Sequence, residues 1–230
     1  MVEKTLVPAK EYLQTGAHIG AKFKSDGMRK YIFKHRKDKL KVLDVGTIDD
    51  RIRIAAKFLS SFEPEKIAAA SQKEYGQTAA KKFAELIGAK ALVKRFVPGT
   101  FTNPMSTEFM EPQVLLVTDP NSDRQAIREA KRMRFPVIAF CSTDNQTKNI
   151  DLIVPINNKG RKSLALAYWL LTREILREKG IVKTEGDFKA KLEEFEFIMD
   201  EKTQMAHYRQ REEGRDRFER RGRRDRDDSY

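Results

Sequence analysis

The chain has 230 residues, of which 40% are hydrophobic and 35% charged, so it can form one domain with a sizeable core. Its formal net charge of +12 favours a polyanionic partner such as nucleic acid or an acidic membrane surface. A single cysteine excludes an internal disulfide and fits a reducing compartment. No segment approaches the roughly 20 apolar residues of a membrane span. The first ten residues lack the apolar stretch of a secretory signal, so a cytoplasmic location without a membrane partner is expected.

The first 40 residues are predicted to form an N-terminal basic arm. Residues 1–44 contain eleven Lys or Arg against five Asp or Glu. Within this arm, LQTGAHIG (13–20) places His18 between two glycines at the end of a short helical run. No histidine or cysteine lies at ligand spacing from His18, and no nucleophile is placed beside it by local sequence. We therefore expect His18 to have a structural role and expect no metal site.

The stretch KFKSDGMRKYIFKHRKDKLK (22–41) interleaves basic side chains with three aromatic rings. Basic side chains neutralise backbone phosphates, while the rings can stack on unpaired bases or anchor the segment to the core. A run of charge is usually a solvated surface, but the density of this run and the charge of the whole chain favour nucleic-acid binding. The predicted contacts are Lys22, Lys24, Arg29, Lys30, Lys34, His35, Arg36, Lys37 and Lys39.

Residues 41–182 are predicted to form an α/β domain. Short apolar runs alternate with amphipathic stretches of helical period, and near-continuous apolar strands indicate burial on both faces of a parallel sheet. This pattern predicts a three-layer architecture. Thr47 and Asp50 have the spacing of a helix N-cap, and Gly88 is predicted to end the second helix. The predicted strands are KVLDV (41–45), KIAAAS (66–71), ALVKRFV (91–97), QVLLVTD (113–119), PVIAFC (136–141) and DLIVPI (151–156).

Catalysis in a parallel α/β sheet would use groups at the carboxyl ends of its strands. The most suggestive is Asp119, which could accept a phosphoryl group or hold Mg²⁺, with Asp44 as a second carboxylate. The favoured interpretation is structural: Asp119, followed by PNSD, opens a turn and caps the next helix. The alternative, a phosphoacceptor or nucleotide-dependent α/β protein using Asp119, stays open at this point.

Two further segments carry charge. Lys159, Arg161 and Lys162, in NNKGRKS (157–163), stand at a predicted helix start, where an RNA phosphate or plain solvent is an equally good neighbour. Residues 183–208 carry apolar residues at helical spacing and are predicted to form a helical extension that could dock on a partner. Residues 209–230 mix arginines with acids around one phenylalanine, which predicts a disordered charged tail.

Four motifs together resemble the small-subunit ribosomal protein S2 family, and they occur in the family's order. They are LQTGAHIG (13–20), RFVPGTFTNP (95–104), EPQVLLVTDPNSDRQAIREAKRMRFPVIAFCSTDN (111–145) and IDLIVPINNKGRKSLALAYWLL (150–171). Only nine residues separate Asn103 from Gln113, where bacterial members of the family carry a long coiled-coil hairpin. The chain therefore resembles the archaeal and eukaryotic type.

The resemblance implies a flavodoxin-like, five-stranded parallel sheet and a structural role without enzymatic activity, cofactor or small-molecule substrate. It implies a position at the head–body junction of the small ribosomal subunit, with a role in assembly and translation initiation. The implied partners are small-subunit rRNA and neighbouring ribosomal proteins, with mRNA near the exit as a further candidate. Weaker candidate rRNA contacts in the 95–104 motif are Arg95, Gly99, Thr100, Thr102 and Asn103.

Overall fold

A computed structural model describes residues 5–183 and 186–198. The N-terminal segment contains one short helix and a two-stranded hairpin, and the remainder alternates strands with helices. The elements are α1 (Ala9–Thr15), β1 (Ile32–His35), β2 (Lys41–Leu43), α2 (Val45–Ser60), β3 (Ile67–Ser71), α3 (Glu74–Ile87), β4 (Lys90–Val93), β5 (Val114–Val117), α4 (Arg124–Met133), β6 (Val137–Cys141), β7 (Leu152–Pro155) and α5 (Arg161–Glu178).

The core of the molecule is a five-stranded parallel sheet with the order β4-β3-β5-β6-β7. Counted within the sheet alone this is 2-1-3-4-5, the flavodoxin-like order. The chain moves one way along the sheet through α3 and the other way through α4, so right-handed crossovers place these two helices on opposite faces. Helix α5 packs against both α2 and α3, so these three helices lie on the same face of the sheet. The predicted three-layer α/β architecture is confirmed.

The strands are buried because their sequences are apolar along their whole length. Every residue of β3, β5 and β6 is buried, as expected for a sheet covered on both faces. The alanines of β3 let α3 approach closely, and a Cβ added to Gly76 would lie 2.5 Å from the Ser71 hydroxyl oxygen. The helix α3 ends at Gly88, whose φ of 86° confirms the predicted left-handed cap.

Three predictions of element boundaries were wrong. Residues 41–43 do not join the parallel sheet but form β2, which pairs antiparallel with β1. The run 91–97 leaves the sheet after Val93. Helix α2 begins earlier than predicted, because the Asp44 carboxylate caps it by accepting hydrogen bonds from the Thr47 backbone N–H and hydroxyl, at 3.1 and 2.7 Å.

Residues 186–197 fold back onto the α/β body. The Trp169 indole N–H donates to the Ala190 carbonyl at 2.8 Å, and Glu194 pairs with Lys82 at 3.1 Å. Phe195 is fully buried at the end of a single 3-10 turn, Leu192–Phe195. Within the described residues of the predicted 183–208 extension there is no α-helix; the remainder of that extension and the predicted tail at 209–230 lie outside the described residues. No helix in the described part of the chain is both long and apolar enough to span a bilayer.

Candidate nucleic-acid interface

Residues 21–43, called here the basic arm, carry the predicted basic contacts of the N-terminal segment and contain the β1–β2 hairpin. Its strands pair in the register Ile32↔Leu43 and His35↔Lys41. The turn is closed by the Arg36 backbone N–H, which donates to the Leu40 carbonyl at 2.9 Å. Lys39 in the turn has a φ of 64°, which places it in the left-handed region. The hairpin therefore presents its turn, with Lys37 and Lys39, at the exposed end of a paired ribbon.

The LQTGAHIG segment forms the other side of this ribbon. The Gly20 N–H donates to the Lys41 carbonyl at 2.8 Å, and the Leu43 N–H donates to the His18 carbonyl at the same distance. The His18 ring Nδ1 lies 3.2 Å from the Tyr12 carbonyl oxygen, within the same N-terminal segment. The His18 ring therefore has a hydrogen-bond partner within the N-terminal segment, and the His18 carbonyl stabilises β2 by accepting from Leu43.

The base of the arm is fixed to the loop that follows β6. The Ala21 N–H donates to the Thr143 hydroxyl at 2.8 Å, and the Ser25 N–H donates to the Thr143 carbonyl at 2.8 Å. The Ser25 hydroxyl donates to the Asn145 carbonyl at 2.6 Å. A Cβ at Gly27 would overlap the Thr147 hydroxyl, so glycine is required for this close approach. The arm is thus held at a defined position on the α/β body.

The aromatic rings of the basic arm divide into one anchor and two exposed rings. Tyr31 is buried, and the Lys30 ammonium lies 5.0 Å from the centre of its ring. Phe23 and Phe33 are 79% and 74% exposed. They are available for stacking on unpaired bases.

All nine predicted contacts in the arm are exposed, and most have no acidic partner. Arg36 lies 3.5 Å from Asp38 in a solvent-exposed ion pair. In the parts of the chain that the structure describes, no carboxylate lies within 4 Å of the other lysine and arginine side chains among these predicted contacts. These unpaired side chains are Lys22, Lys24, Arg29, Lys30, Lys34, Lys37 and Lys39.

The 95–104 motif is organised around a buried carboxylate. Glu129 of α4 accepts hydrogen bonds from the Gly99 N–H at 2.8 Å and the Phe101 N–H at 3.1 Å. The Thr102 hydroxyl lies 3.4 Å from the same carboxylate, and the Thr100 hydroxyl donates to the Val97 carbonyl at 2.7 Å. The motif therefore folds against the protein's own helix through Gly99, Phe101 and Thr102, while Thr100 bonds within the motif.

Two of the predicted contacts in this motif do face solvent. Arg95 and Asn103 are both exposed. The Asn103 side-chain oxygen accepts a hydrogen bond from the Met105 N–H at 3.1 Å, so it also stabilises the local turn. Arg95 has no carboxylate within 4 Å in the described residues.

The basic residues at the start of α5 are largely paired within the molecule. The Lys159 ammonium lies 2.5 Å from Asp144, and the Arg161 guanidinium lies 3.2 Å from Glu196. Lys162 is exposed and has no such partner in the described part of the chain. Of the three predicted phosphate contacts here, Lys162 can bind a phosphate without first breaking an ion pair, whereas Lys159 and Arg161 cannot.

Asp119 lies at the carboxyl end of β5, buried in a polar network. The Lys73 ammonium lies 2.7 Å from one carboxylate oxygen, and the side-chain amides of Asn145 and Asn158 donate to the other at 2.7 and 3.2 Å. Burial alone would raise the pKa of Asp119, but Lys73 and the surrounding hydrogen-bond donors hold it below its usual value. The ionised carboxylate is stabilised within the network.

Asp119 opens a turn as predicted from sequence, but the proposed helix cap was wrong. The Asn121 N–H and the Ser122 hydroxyl donate to its carboxylate at 3.2 and 2.9 Å. Helix α4 begins only at Arg124, and Asp123 occupies its N-cap position. Asp44 caps α2. The second carboxylate of the enzyme hypothesis is therefore occupied elsewhere.

Sequence reasoning missed the groups that fix these loops. Glu129 could have been found, because its position in the helical repeat places it beside Ala126 and Ala130 on the buried face of α4. Thr143 and Asn145, which anchor the arm, carry no local signal. Among residues 5–183 and 186–198, no group of three His, Cys, Asp or Glu side chains could hold a metal ion.

Comparison with known proteins gives a consistent result. A family model described as Ribosomal protein S2 matches residues 104–177. The chain is 50% identical over 195 residues to "Small ribosomal subunit protein uS2" of Staphylothermus marinus, covering 85% of this chain and 89% of the relative. Proteins of the same name from Ignicoccus hospitalis and Saccharolobus solfataricus are 52% and 49% identical over 198 and 191 residues. These matches cover 85% and 83% of this chain, and 93% and 83% of the relatives.

Proposed function

We propose that this chain, which belongs to the ribosomal protein S2 family, binds small-subunit rRNA mainly through its basic arm. The chain is a structural constituent of the small ribosomal subunit and not an enzyme. Its flavodoxin-like fold hosts many unrelated functions, so the function has to be argued from surface chemistry and not from the fold.

The observation that carries the proposal is the combination of unpaired charge and exposed rings on a rigid support. Seven basic side chains of the arm have no carboxylate within 4 Å in the described residues, while Phe23 and Phe33 remain exposed. Phosphates supply the missing counter-charges, and unpaired bases supply faces for the rings. Because Thr143 and Ser25 fix the base of the arm, little ordering entropy is lost on binding.

The proposal includes the finer assignments that the family resemblance implies. The partners are rRNA and neighbouring ribosomal proteins at the head–body junction, with mRNA near its exit as an additional contact, in the cytoplasm. Arg95, Asn103 and Lys162 are added as secondary phosphate contacts because they are exposed. The remaining predicted contacts, Gly99, Thr100, Thr102, Lys159 and Arg161, hold the protein's own structure.

The experiment replaces Lys22, Lys24, Arg29, Lys30 and Arg36 of the arm with alanine and measures rebinding to small subunits stripped of this protein. We expect the variant to remain in the unbound fraction on sedimentation, because the loss of several phosphate contacts removes most of the electrostatic affinity. A matched control replaces five exposed lysines from other surfaces: Lys10, Lys57, Lys81, Lys90 and Lys189. The control should rebind like the wild-type chain.

The salt dependence of wild-type rebinding gives an independent measurement. With about six phosphates neutralised, affinity should fall by about a thousandfold between about 50 and 200 mM salt. An affinity that does not change with salt, or an arm variant that rebinds as well as its control, would contradict the proposal. Thermal unfolding of the arm variant should match that of the wild-type chain, since the replaced side chains are exposed.

A further inference from the structure

The outward face of α4 carries a second concentration of positive charge. Arg124, Arg128, Lys131 and Arg132 fall within an arc of about 100° around the helix, and they extend along about 12 Å of its axis. All four are exposed. Two further exposed basic residues, at the end of the helix and in the loop after β6, complete the set. We call the set the α4 basic face: Arg124, Arg128, Lys131, Arg132, Arg134 and Lys148.

The protein does not neutralise this face internally. The one acidic residue of α4, Glu129, is turned inward and is 1% exposed, and it holds the 95–104 motif. Across residues 5–183 and 186–198, no carboxylate lies within 4 Å of any basic side chain of the α4 basic face. One carboxylate, that of Asp151, lies close to the face, beside Lys131 and Arg134. It accepts a hydrogen bond from the Val137 N–H at 2.8 Å.

The face is concave and lined with amide groups. Arg124, Arg128 and Lys148 line a depression of about 200 Å³, together with the side chains of Asn121, Gln146 and Asn149. A neighbouring depression of about 390 Å³ shares Asn149 and is lined by Lys131 and Arg134, by the Asp151 carboxylate and by the apolar residues at 135–137. Guanidinium groups bind phosphate oxygens through two parallel hydrogen bonds, and amides can bind phosphate or ribose oxygens. The shape and the donors suit a sugar-phosphate backbone.

The face lacks the features of a protein-binding surface. Interfaces between proteins are centred on buried aromatic or aliphatic anchors. The large apolar side chain exposed on α4 is Met133, at 43%, and Ile127 is buried. From the unpaired charge, the amide-lined depression between Arg124 and Lys148 and the lack of an exposed aromatic anchor, we propose that the α4 basic face binds the phosphate backbone of rRNA as a second site.

The loop after β6 joins this site to the basic arm. Thr143 and Asn145 accept hydrogen bonds from Ala21 and Ser25 of the arm. Immediately after Asn145, the same loop supplies Gln146, Lys148 and Asn149 to the depression on α4. Two basic regions about 90 residues apart in sequence thus meet at one loop. The inference rests on the proposed function in that rRNA is again the partner, but the two sites can be tested separately.

The test neutralises Arg124, Arg128 and Arg132 together by substitution with glutamine, which keeps a high helix propensity. Binding of the full chain to stripped small subunits is measured between about 50 and 200 mM KCl. Each lost phosphate contact lowers the slope of log affinity against log salt by about 0.7 to 0.9, so we expect the slope to fall by about 2 to 3. The matched control, Lys57→Gln, Lys81→Gln and Lys90→Gln, should leave the slope unchanged.

A second measurement identifies the occupant directly. A photoreactive p-benzoylphenylalanine placed at position 128 should cross-link to rRNA in rebound subunits. An unchanged slope in the arginine variant would overturn the inference while leaving the proposed function in place. So would cross-linking to a ribosomal protein alone, which would identify an acidic protein surface as the occupant. Failure of the wild-type chain to rebind would overturn both proposals.

Discussion

The basic arm and the carboxyl-terminal edge of the sheet are both rich in polar side chains, but they use them in opposite ways. At the sheet edge, Asp119 is surrounded by donors from Lys73, Asn145 and Asn158, all within the molecule. In the arm, most basic groups have no partner of opposite charge in the described residues. The number of charged residues in a segment therefore does not by itself indicate a binding surface. What indicates it is whether the protein satisfies those charges itself.

The largest expected effect is on stability, at the sheet edge. Asp119→Ala should lower the free energy of unfolding by about 2 to 4 kcal/mol, because it leaves the buried Asn145 amide without its acceptor and the partly buried Lys73 ammonium without its partner. Urea denaturation measures the change. The control is Asp144→Ala, which breaks the half-exposed pair with Lys159 and should cost less than about 1 kcal/mol. Equal losses of unfolding free energy in the two variants would show that the buried network stabilises the fold no more than an exposed ion pair does.

The next expected effect is a pH dependence of the unfolding free energy that arises at the same edge of the sheet. Asp123 accepts hydrogen bonds from the backbone N–H groups of Gln72 and Asp119, and burial raises its pKa to about 6. In the unfolded chain the pKa of an Asp is about 3.9, so the folded state binds the proton first as pH falls. The free energy of unfolding should therefore gain up to about 3 kcal/mol from this group between about pH 6 and pH 4.

Denaturation of the Asp123→Asn variant at pH 7, 5.5 and 4.5 isolates this contribution. Its stability should change less with pH than that of the wild-type chain over this interval, since the asparagine does not titrate. Asp119, whose pKa is lowered, acts in the opposite direction, and its contribution is lost only as the pH falls below the usual Asp range. Parallel pH profiles for wild type and variant would contradict the assignment to Asp123.

The third effect is on binding and lies in the arm. Phe23→Ala and Phe33→Ala should each weaken rebinding to stripped subunits by about 1 to 3 kcal/mol if the rings stack on bases. Each should change stability by less than about 0.5 kcal/mol, since both rings are exposed. Met105→Ala, at a side chain that is 91% exposed outside the arm, serves as the control. If a phenylalanine variant lost stability but not binding, the ring would have a structural role, and the arm would resemble the sheet edge.

The smallest effect separates paired from unpaired charges at the start of α5. Lys159→Ala should weaken rebinding by less than about fivefold, because its ammonium already pairs with Asp144. Lys162→Ala, at an exposed unpaired residue of the same segment, should cost more and should flatten the salt dependence slightly. The same titration series measures both variants. A larger loss for Lys159 would mean that its pair opens when RNA binds.

Much of the fold could be predicted because apolar periodicity reports burial directly. The runs in β3, β5 and β6 are apolar throughout and are buried throughout. The run KVLDV has a similar composition, yet it pairs with β1, since composition does not specify which strand a short segment meets. The positions of charged residues are given by the sequence, but which of them form ion pairs depends on contacts between distant residues, such as Arg161 with Glu196.

The contacts that fix the arm were beyond prediction for the same reason. Thr143 and Asn145 lie about 120 residues from Ala21 and Ser25, and hydroxyl and carbonyl groups of this kind occur in any loop. Glu129 was predictable in principle, because a carboxylate on the apolar face of a helix requires donors nearby. The sequence indicates that such a carboxylate is satisfied, but not that Gly99 and Phe101 are the donors.

The attachment of the N-terminal segment has a consequence for how this fold is used. In open α/β sheets, small ligands bind in the crevice beyond the carboxyl ends of the strands. Here Ala17 and Gly16 accept hydrogen bonds from Asn157, just after β7, and Ala21 donates to Thr143, just after β6. In this strand order the crevice lies at the carboxyl ends of β3 and β5, and there Lys73 pairs with Asp119 and the Gln72 N–H donates to Asp123. The N-terminal segment covers the neighbouring ends of β6 and β7. The edge of the sheet that binds substrates in enzymes of this fold thus supports the basic arm in this protein.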